Sequence, residues 1–234
     1  MECTPSFLID SARSEGRSKL LEHESFCLCE HYGIPVPRYG VARSSEEAVR
    51  IAKKIGFPVV LKVISPDVVH KSDVGGVILD VRSPEEVREK YSALMRNVTL
   101  RAPGARVYGV LVQEMVPRGL EVIVGATRDP YFGPVVMFGL GGVFVEVLKD
   151  VSFRVAPLTP IDAGEMVREV KGYRLFEAFR GEAPRDRKAV EEIILRVSEL
   201  IEDLDEVSEV DLNPVIVFEE GLGAKVADAR FMLR

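Results

Sequence analysis

The chain has 234 residues, 47% of them hydrophobic and 29% charged, with a formal net charge of −6. That length holds one large domain or two small ones around a proper core, and the composition is that of a globular protein. The acidic balance argues against a nucleic-acid surface, which is normally basic. No apolar run approaches a membrane span, and Met1-Glu2-Cys3-Thr4-Pro5 lacks a basic-then-apolar signal pattern. The three cysteines, Cys3, Cys27 and Cys29, are odd in number and clustered early, which predicts no disulfide framework and fits a reducing, cytoplasmic setting. Cys27-x-Cys29 has no second ligand pair at zinc spacing and reads as core.

In chain order, residues 1–15 offer little beyond Phe7-Leu8-Ile9 and read as a short arm or strand. Leu20, Leu21, Phe26 and Leu28 predict an amphipathic helix from about Arg17 to Tyr32, stopped at Gly33 before Ile34-Pro35-Val36-Pro37. Two similar blocks follow. Ser44-Ser45-Glu46-Glu47 opens a helix with Val49, Ile51, Ala52 and Ile55 on one side and Gly56 at its end. Ser83-Pro84-Glu85-Glu86 opens another, with Val87, Tyr91, Leu94 and Val98 at helical spacing. Both carry the Ser-x-x-Glu capping box, and the second adds proline at the first helical position. With their strands they predict a small α+β lobe over residues 20–107.

Beyond the connector at residues 101–105, strands are predicted at 107–115, 120–126, 135–138, 143–148 and 153–156. Thr159-Pro160-Ile161-Asp162 starts a helix that should reach about Phe179. Asp186 caps another, with Val190, Ile193, Ile194, Val197, Leu200, Ile201 and Leu204 forming a wide apolar stripe. Two strands, about 208–218 and 224–231, close the chain. Residues 108–234 thus predict a larger lobe with an antiparallel-rich sheet, and residues 1–19 an arm packed on it. The fold class is α+β: two lobes with a cleft between them.

Val59–Val77 is the most informative stretch. A single lysine, Lys62, interrupts an apolar strand, and burying an ammonium is costly unless an anion pairs with it. The strand breaks at Pro66 into a polar loop carrying His70, the only histidine beyond residue 31, and Gly75-Gly76 closes the loop. These residue types suit phosphate chemistry. Lysine is a compact point charge for phosphate oxygens, and glycines let backbone N–H groups approach an anion. A satisfied salt bridge at Lys62 with an ordinary surface hairpin fits the same stretch, so by itself it leaves both readings open.

The closing hairpin contains Glu209-Val210-Asp211-Leu212-Asn213-Pro214-Val215 and Val226-Ala227-Asp228-Ala229. Strand alternation puts Asp211, Asn213 and Val215 on one face, and Leu212 and Ile216 on the other. A four-residue connection at 220–223 sets Asp228 opposite Val215, on the face of Asn213; a one-residue slip would remove it. Two carboxylates and an amide supply only oxygen ligands, which suits Mg2+ shared with phosphates and water. The alternative is a polar, solvent-facing strand. Between the lobes, Val112-Gln113-Glu114-Met115-Val116-Pro117 runs into a turn before Glu121, either a plain connector or a hinge offering groups to a base and a ribose.

Read together, these features resemble the ATP-grasp fold and, more closely, the β subunit of ADP-forming acetyl-CoA synthetases, relatives of succinyl-CoA synthetase. The likeness is carried by Tyr32-Gly33-Ile34-Pro35-Val36-Pro37, Gly56–Lys62, Ser65–Val77, Phe138-Gly139-Leu140-Gly141-Gly142 with Asp150 and Phe153-Arg154, and Glu209–Pro214. The His-Lys-Ser-Asp-x-Gly-Gly loop is the most specific of these. The resemblance implies ADP or ATP as substrate and Mg2+ as cofactor. It implies that Lys62, with the Gly75-Gly76 loop, meets nucleotide phosphate, that Glu114, Val116 and Glu121 hold adenine and ribose, and that Asn213 and Asp228 bind the metal. His70 would accept a phosphoryl group, with Asp211 near the transferring phosphate and Arg154 a further phosphate clamp. No CoA-binding region is present, so the resemblance also implies a CoA-binding α subunit carrying a second phosphohistidine, in an α2β2-type assembly. With the loop free from Ser65 to Gly76, its tip would swing on the order of 15–20 Å. Two other readings fit the same residues: a ligase that uses ATP directly, and a non-catalytic nucleotide-sensing module.

Overall fold

The computed structural model describes residues 3–68, 70–142, 150–178, 181 and 183–234. It divides into two compact units, Pro37–Val116 and Met1–Val36 with Pro117–Arg234. Among the described residues no helix is long and apolar enough to cross a membrane.

The smaller unit runs β1 (Tyr39–Ala42), α3 (Ser45–Ile55), β2 (Val59–Ile64), β3 (Val77–Val81), α4 (Pro84–Arg101) and β4 (Gly109–Glu114). Both helices start where the capping signal places them: Ser44 Oγ accepts from Glu47 N and Ser83 Oγ from Glu86 N. The strands form an antiparallel sheet in the order β1-β4-β2-β3. One sheet face packs on the helices: Val59, Leu61, Val63, Val110 and Val112 join Ala48, Ala52, Val87, Leu94 and Val98 in a single core. Alternation leaves Val60, Lys62, Ile64, Leu111 and Gln113 on the other face.

The expected lobe boundaries move at both ends. β4 completes the smaller sheet by pairing with β2 and β1, so that unit extends to Val116 instead of stopping at 107. Residues 20–36 group with the larger unit, because Leu20 N donates to Phe231 O there. The helix expected from Arg17 forms only over Glu22–His31 (α2). Arg17 instead forks onto Glu24 at 2.7 and 2.9 Å, and Glu24 also caps Leu21 N at 2.7 Å. Ahead of it, Pro5–Ser14 is a helix (α1) rather than a strand.

The cysteine expectation is overturned. Cys3, just ahead of α1, and Cys27 of α2 form a disulfide, with Cα atoms 5.5 Å apart. Only Cys29, buried in α2, is free among the described residues. Counting cysteines could not reveal that the arm folds back onto α2.

The larger unit continues with β5 (Leu120–Asp129), β6 (Gly133–Leu140), β7 (Val151–Val155), α5 (Pro160–Glu169), a 3-10 turn (Lys171–Phe176), α6 (Arg187–Asp203), β8 (Val207–Val217), β9 (Ala224–Val226) and β10 (Ala229–Leu233). The sheet order is β10-β8-β5-β6-β7, with β9 beside β8. The strand expected at 143–148 lies outside the described residues. The helix expected to reach Phe179 stops at Glu169, because Asp150 captures the N–H groups of Lys171 and Gly172 at 2.7 and 2.9 Å. One sheet face carries Val122, Val124, Ala126, Val136, Phe138, Val210 and Leu212, all buried, on the side where Ser152 Oγ donates to Met166 O of α5. The opposite face carries the polar residues of interest.

Candidate functional site

In the larger unit, the β-ladders align Phe153, Met137, Gly125, Asp211 and Arg230 in one row across the sheet, on the face away from α5. Glu121 and Ile123 continue that face along β5. The register then shifts: Val124 opposes Leu212 while Val122 opposes Val215, so β8 carries one residue more than β5 at Asn213-Pro214. This bulge overturns the simple alternation expected for β8, since Val215 joins the face of Leu212 rather than that of Asp211. Proline cannot donate to a ladder, so the irregularity falls where the sequence tolerates it.

The bulge also decides Asp228. The connection spans residues 218–223, closed by Phe218 N donating to Gly223 O, and Val226 rather than Asp228 opposes Val215. Asn213 N donates to Asp228 O at 3.1 Å, and Leu212 pairs with Ala229. Asp228 therefore sits directly across from Asn213, two residues from the expected register but on the same face. Among the described residues no cluster of three or more His, Cys, Asp and Glu side chains could hold a metal ion. An amide oxygen on β8 and a carboxylate on the link between β9 and β10, with Asp211 two residues before Asn213, still fit Mg2+, which takes few protein ligands when phosphates complete its shell.

Burial pushes the Asp211 carboxyl above the ordinary carboxylate range; Arg230, 3.4 Å away, pulls it down and Glu209 pushes it up. A carboxyl whose folded pKa is raised contributes stability below its unfolded pKa and loses that contribution as pH rises through the folded value. Asp211→Asn is therefore expected to gain melting temperature on the parent chain as pH rises above about 4. Thermal unfolding of both chains across that range checks the sign; a constant difference would remove the burial argument.

Arg154 does not join Asp211. It alternates onto the helix face of β7, where α5 supplies Glu169 and Glu165 as its partners. This is a correction to the expected phosphate clamp: strand parity, not composition, sets which side an arginine serves. Glu121 lies beside the glycine pair that follows β6, where Gly141 N donates to Glu121 O at 2.8 Å. A side chain at Gly141 would meet Glu121 at 2.9 Å, which explains that glycine.

In the smaller unit, Lys62 is buried in β2, paired with Leu111 and Val77 and facing away from α3 and α4. Glu114 ends β4, with its carboxylate accepting from Arg38 N and Nε at 3.1 and 3.2 Å. Val116, half-buried, is the last residue of this unit. His70 is exposed in the loop between β2 and β3, and its neighbour Val69 lies outside the described residues.

Gly75 and Gly76 behave differently from expectation. Their N–H groups donate to Ser72 O and Lys71 O at 3.0 and 2.7 Å, so in this arrangement they are not offered to an anion. A Cβ at Gly76 would meet Val63 Cγ1 at 2.6 Å, and one at Gly75, with φ +65°, would meet Asn97 at 2.8 Å. The pair lets the loop close tightly against β2 and α4. Sequence reasoning also missed the Asp67–Arg106 contact at the other end of this loop. An acid just past a strand and an arginine thirty-nine residues on give no local signal.

Residues 11–233 match the family model of the ATP-grasp domain. The chain is also 49% identical over 226 residues, 97% of its length and 96% of the relative's, to the β subunit of acetate–CoA ligase (ADP-forming) I of Pyrococcus furiosus. It belongs to the ATP-grasp family of ADP-forming acetate–CoA ligases. Among solved structures, the ATP-grasp chain is similar to dinucleotide-forming acetyl-coenzyme A synthetase 1 of Ca. Korarchaeum cryptofilum in complex with coenzyme A and Ca-AMPCP. The TM-score is 0.95 at 51% identity, covering 99% of this chain and 100% of that one. A second structure of that synthetase contains coenzyme A and Mg-AMPPCP, with a phosphohistidine segment pointing towards the nucleotide-binding site. There the TM-score is 0.88 at 48% identity, with the same coverage.

Proposed function

We propose that this ATP-grasp chain is the nucleotide-binding β subunit of an ADP-forming acetyl-CoA synthetase. With a CoA-binding α subunit it converts acetyl-CoA, ADP and phosphate into acetate, ATP and CoA. The observation that carries the reading is an exposed histidine on the loop that follows the strand of the buried Lys62. A neutral imidazole is a good nucleophile near pH 7, and its phosphoryl adduct keeps a high transfer potential.

On the partner, phosphate displaces the CoA thiolate from the acetyl carbonyl. The phosphoryl group of the resulting acyl phosphate then passes to a histidine of that subunit, and acetate leaves. From there it reaches His70: one P–N bond breaks, another forms, and the imidazole proton is released. His70 finally gives the phosphoryl group to the terminal oxygen of ADP and recovers a proton. Lys62 neutralises phosphate charge, Glu114, Val116 and Glu121 hold the base and ribose, and Asp211 faces the transferring group. Asn213 and Asp228 would hold Mg2+, which supplies charge neutralisation at the phosphates when bound.

The test is reconstitution with the CoA-binding subunit, followed by an assay for ATP from ADP, phosphate and acetyl-CoA. Turnover is expected only from the assembled complex, with a mass corresponding to two of each chain. An assembled complex that binds ADP but forms no ATP would overturn the assignment.

A further inference from the structure

The loop that bears His70 is pinned on both sides of the histidine. Upstream, Ser65 Oγ accepts from Asp67 N and Val68 N at 3.2 and 3.3 Å, and Val68 is buried in the core of the smaller unit. Asp67 takes three donors from Arg106, on the connector between α4 and β4. Backbone N and Nε reach Oδ2 at 2.8 and 3.0 Å, and Nη2 reaches Oδ1 at 2.8 Å. Downstream, Lys71 O and Ser72 O are held by Gly76 N and Gly75 N, and Asp73 O accepts from Arg101 Nη1 at 3.2 Å. While the loop is held at both ends, with Lys71 in place, the His70 Cα sweeps no more than about 8 Å, twice the spacing of consecutive Cα atoms, and a longer swing has to carry the residues on both sides of it. A histidine serving two separate phosphate sites needs more than that, so a pin must open.

The Asp67–Arg106 fork is the one built to do so. The turn bonds of residues 65–68 and 71–76 lie within the loop and can travel with it, and Val68 is held by apolar packing, whereas Asp67 and Arg106 tie the loop to the connector through side chains 35% and 55% exposed. Opening the fork returns both charges to water rather than stranding them in a core. Resting on the carrier reading above, we propose that Asp67 and Arg106 are positioning residues: a latch that holds the His70 loop in one of its two working positions. A contact made in only one position must bias the balance between the two. Removing it therefore slows the transfer made from the latched position and speeds the other, whereas loss of local structure alone would slow both.

The assembled complex tests this through two half-reactions at His70. One is labelling by γ-labelled Mg-ATP, in which the bond from the γ-phosphorus to ADP breaks and a P–N bond forms. The other is labelling by labelled phosphate with acetyl-CoA in the absence of ADP, with CoA leaving as phosphate takes the acetyl group and acetate leaving as the phosphoryl group moves on. Asp67→Asn and Arg106→Gln are each expected to change the ratio of the two rates at least fivefold, in the same sense. Asp80→Asn, which breaks the matched exposed fork to Arg82, is expected to leave that ratio alone. A ratio unchanged in both latch variants, whatever the absolute rates, would overturn the latch. If the parent complex makes ATP without ever labelling His70, the carrier reading fails instead.

Discussion

His70→Asn is expected to lower ATP formation by the assembled complex by on the order of 10⁴-fold or more, the scale on which loss of a covalent nucleophile is felt. Asparagine keeps a polar side chain on the exposed loop, and surface changes of this kind usually alter stability by no more than about 0.5 kcal/mol. Affinity for ADP and the melting temperature should therefore stay near those of the parent. Two measurements check the result: the coupled ATP assay, and incubation with γ-labelled ATP followed by acid treatment. The parent should carry acid-labile label and the variant none. Full activity without label would favour direct use of ATP by the ligase, with the loop histidine a bystander.

Lys62→Met should weaken ADP binding by about 100-fold, or about 2.7 kcal/mol, with little change in the fold. Methionine matches the length of the lysine stem and suits a strand flanked by Leu111 and Val77, so the apolar packing of β2 survives. What goes is the ammonium on the sheet face that the helices leave open. Lys62→Arg should not rescue the loss, because a planar guanidinium cannot replace a compact charge in a buried strand position. Titration calorimetry with Mg-ADP reads both variants; affinity within twofold of the parent in Lys62→Met would remove this lysine from the nucleotide site.

Much of the local architecture was legible from the chain alone. Ser44 and Ser83 each announce a helix start, because a hydroxyl three residues before a backbone N–H satisfies a donor that the helix cannot. The strand of Lys62 and the existence of the acidic strand of Asp211 were also legible, since a short run of apolar residues bounded by turn signals needs no tertiary information. Strand partners and exact register were not. β4 belongs to the smaller sheet because its backbone pairs there, and no side-chain pattern encodes which sheet a strand will complete. Asp228 reached the face of Asn213 despite a register two residues from the expected one, because a shift of two preserves facing while a shift of one would have reversed it.

Composition and spacing by themselves determined the residue types available for phosphate chemistry and the elements that carry them. Only the tertiary structure decided that Arg154 serves α5 rather than Asp211, that the Gly75 and Gly76 amides turn inward, and that Asp67 meets Arg106. The division has one physical source. Propensity, capping and amphipathic period act within a few residues, whereas ion pairs, bulges and ladder register depend on segments that meet only after the chain has folded.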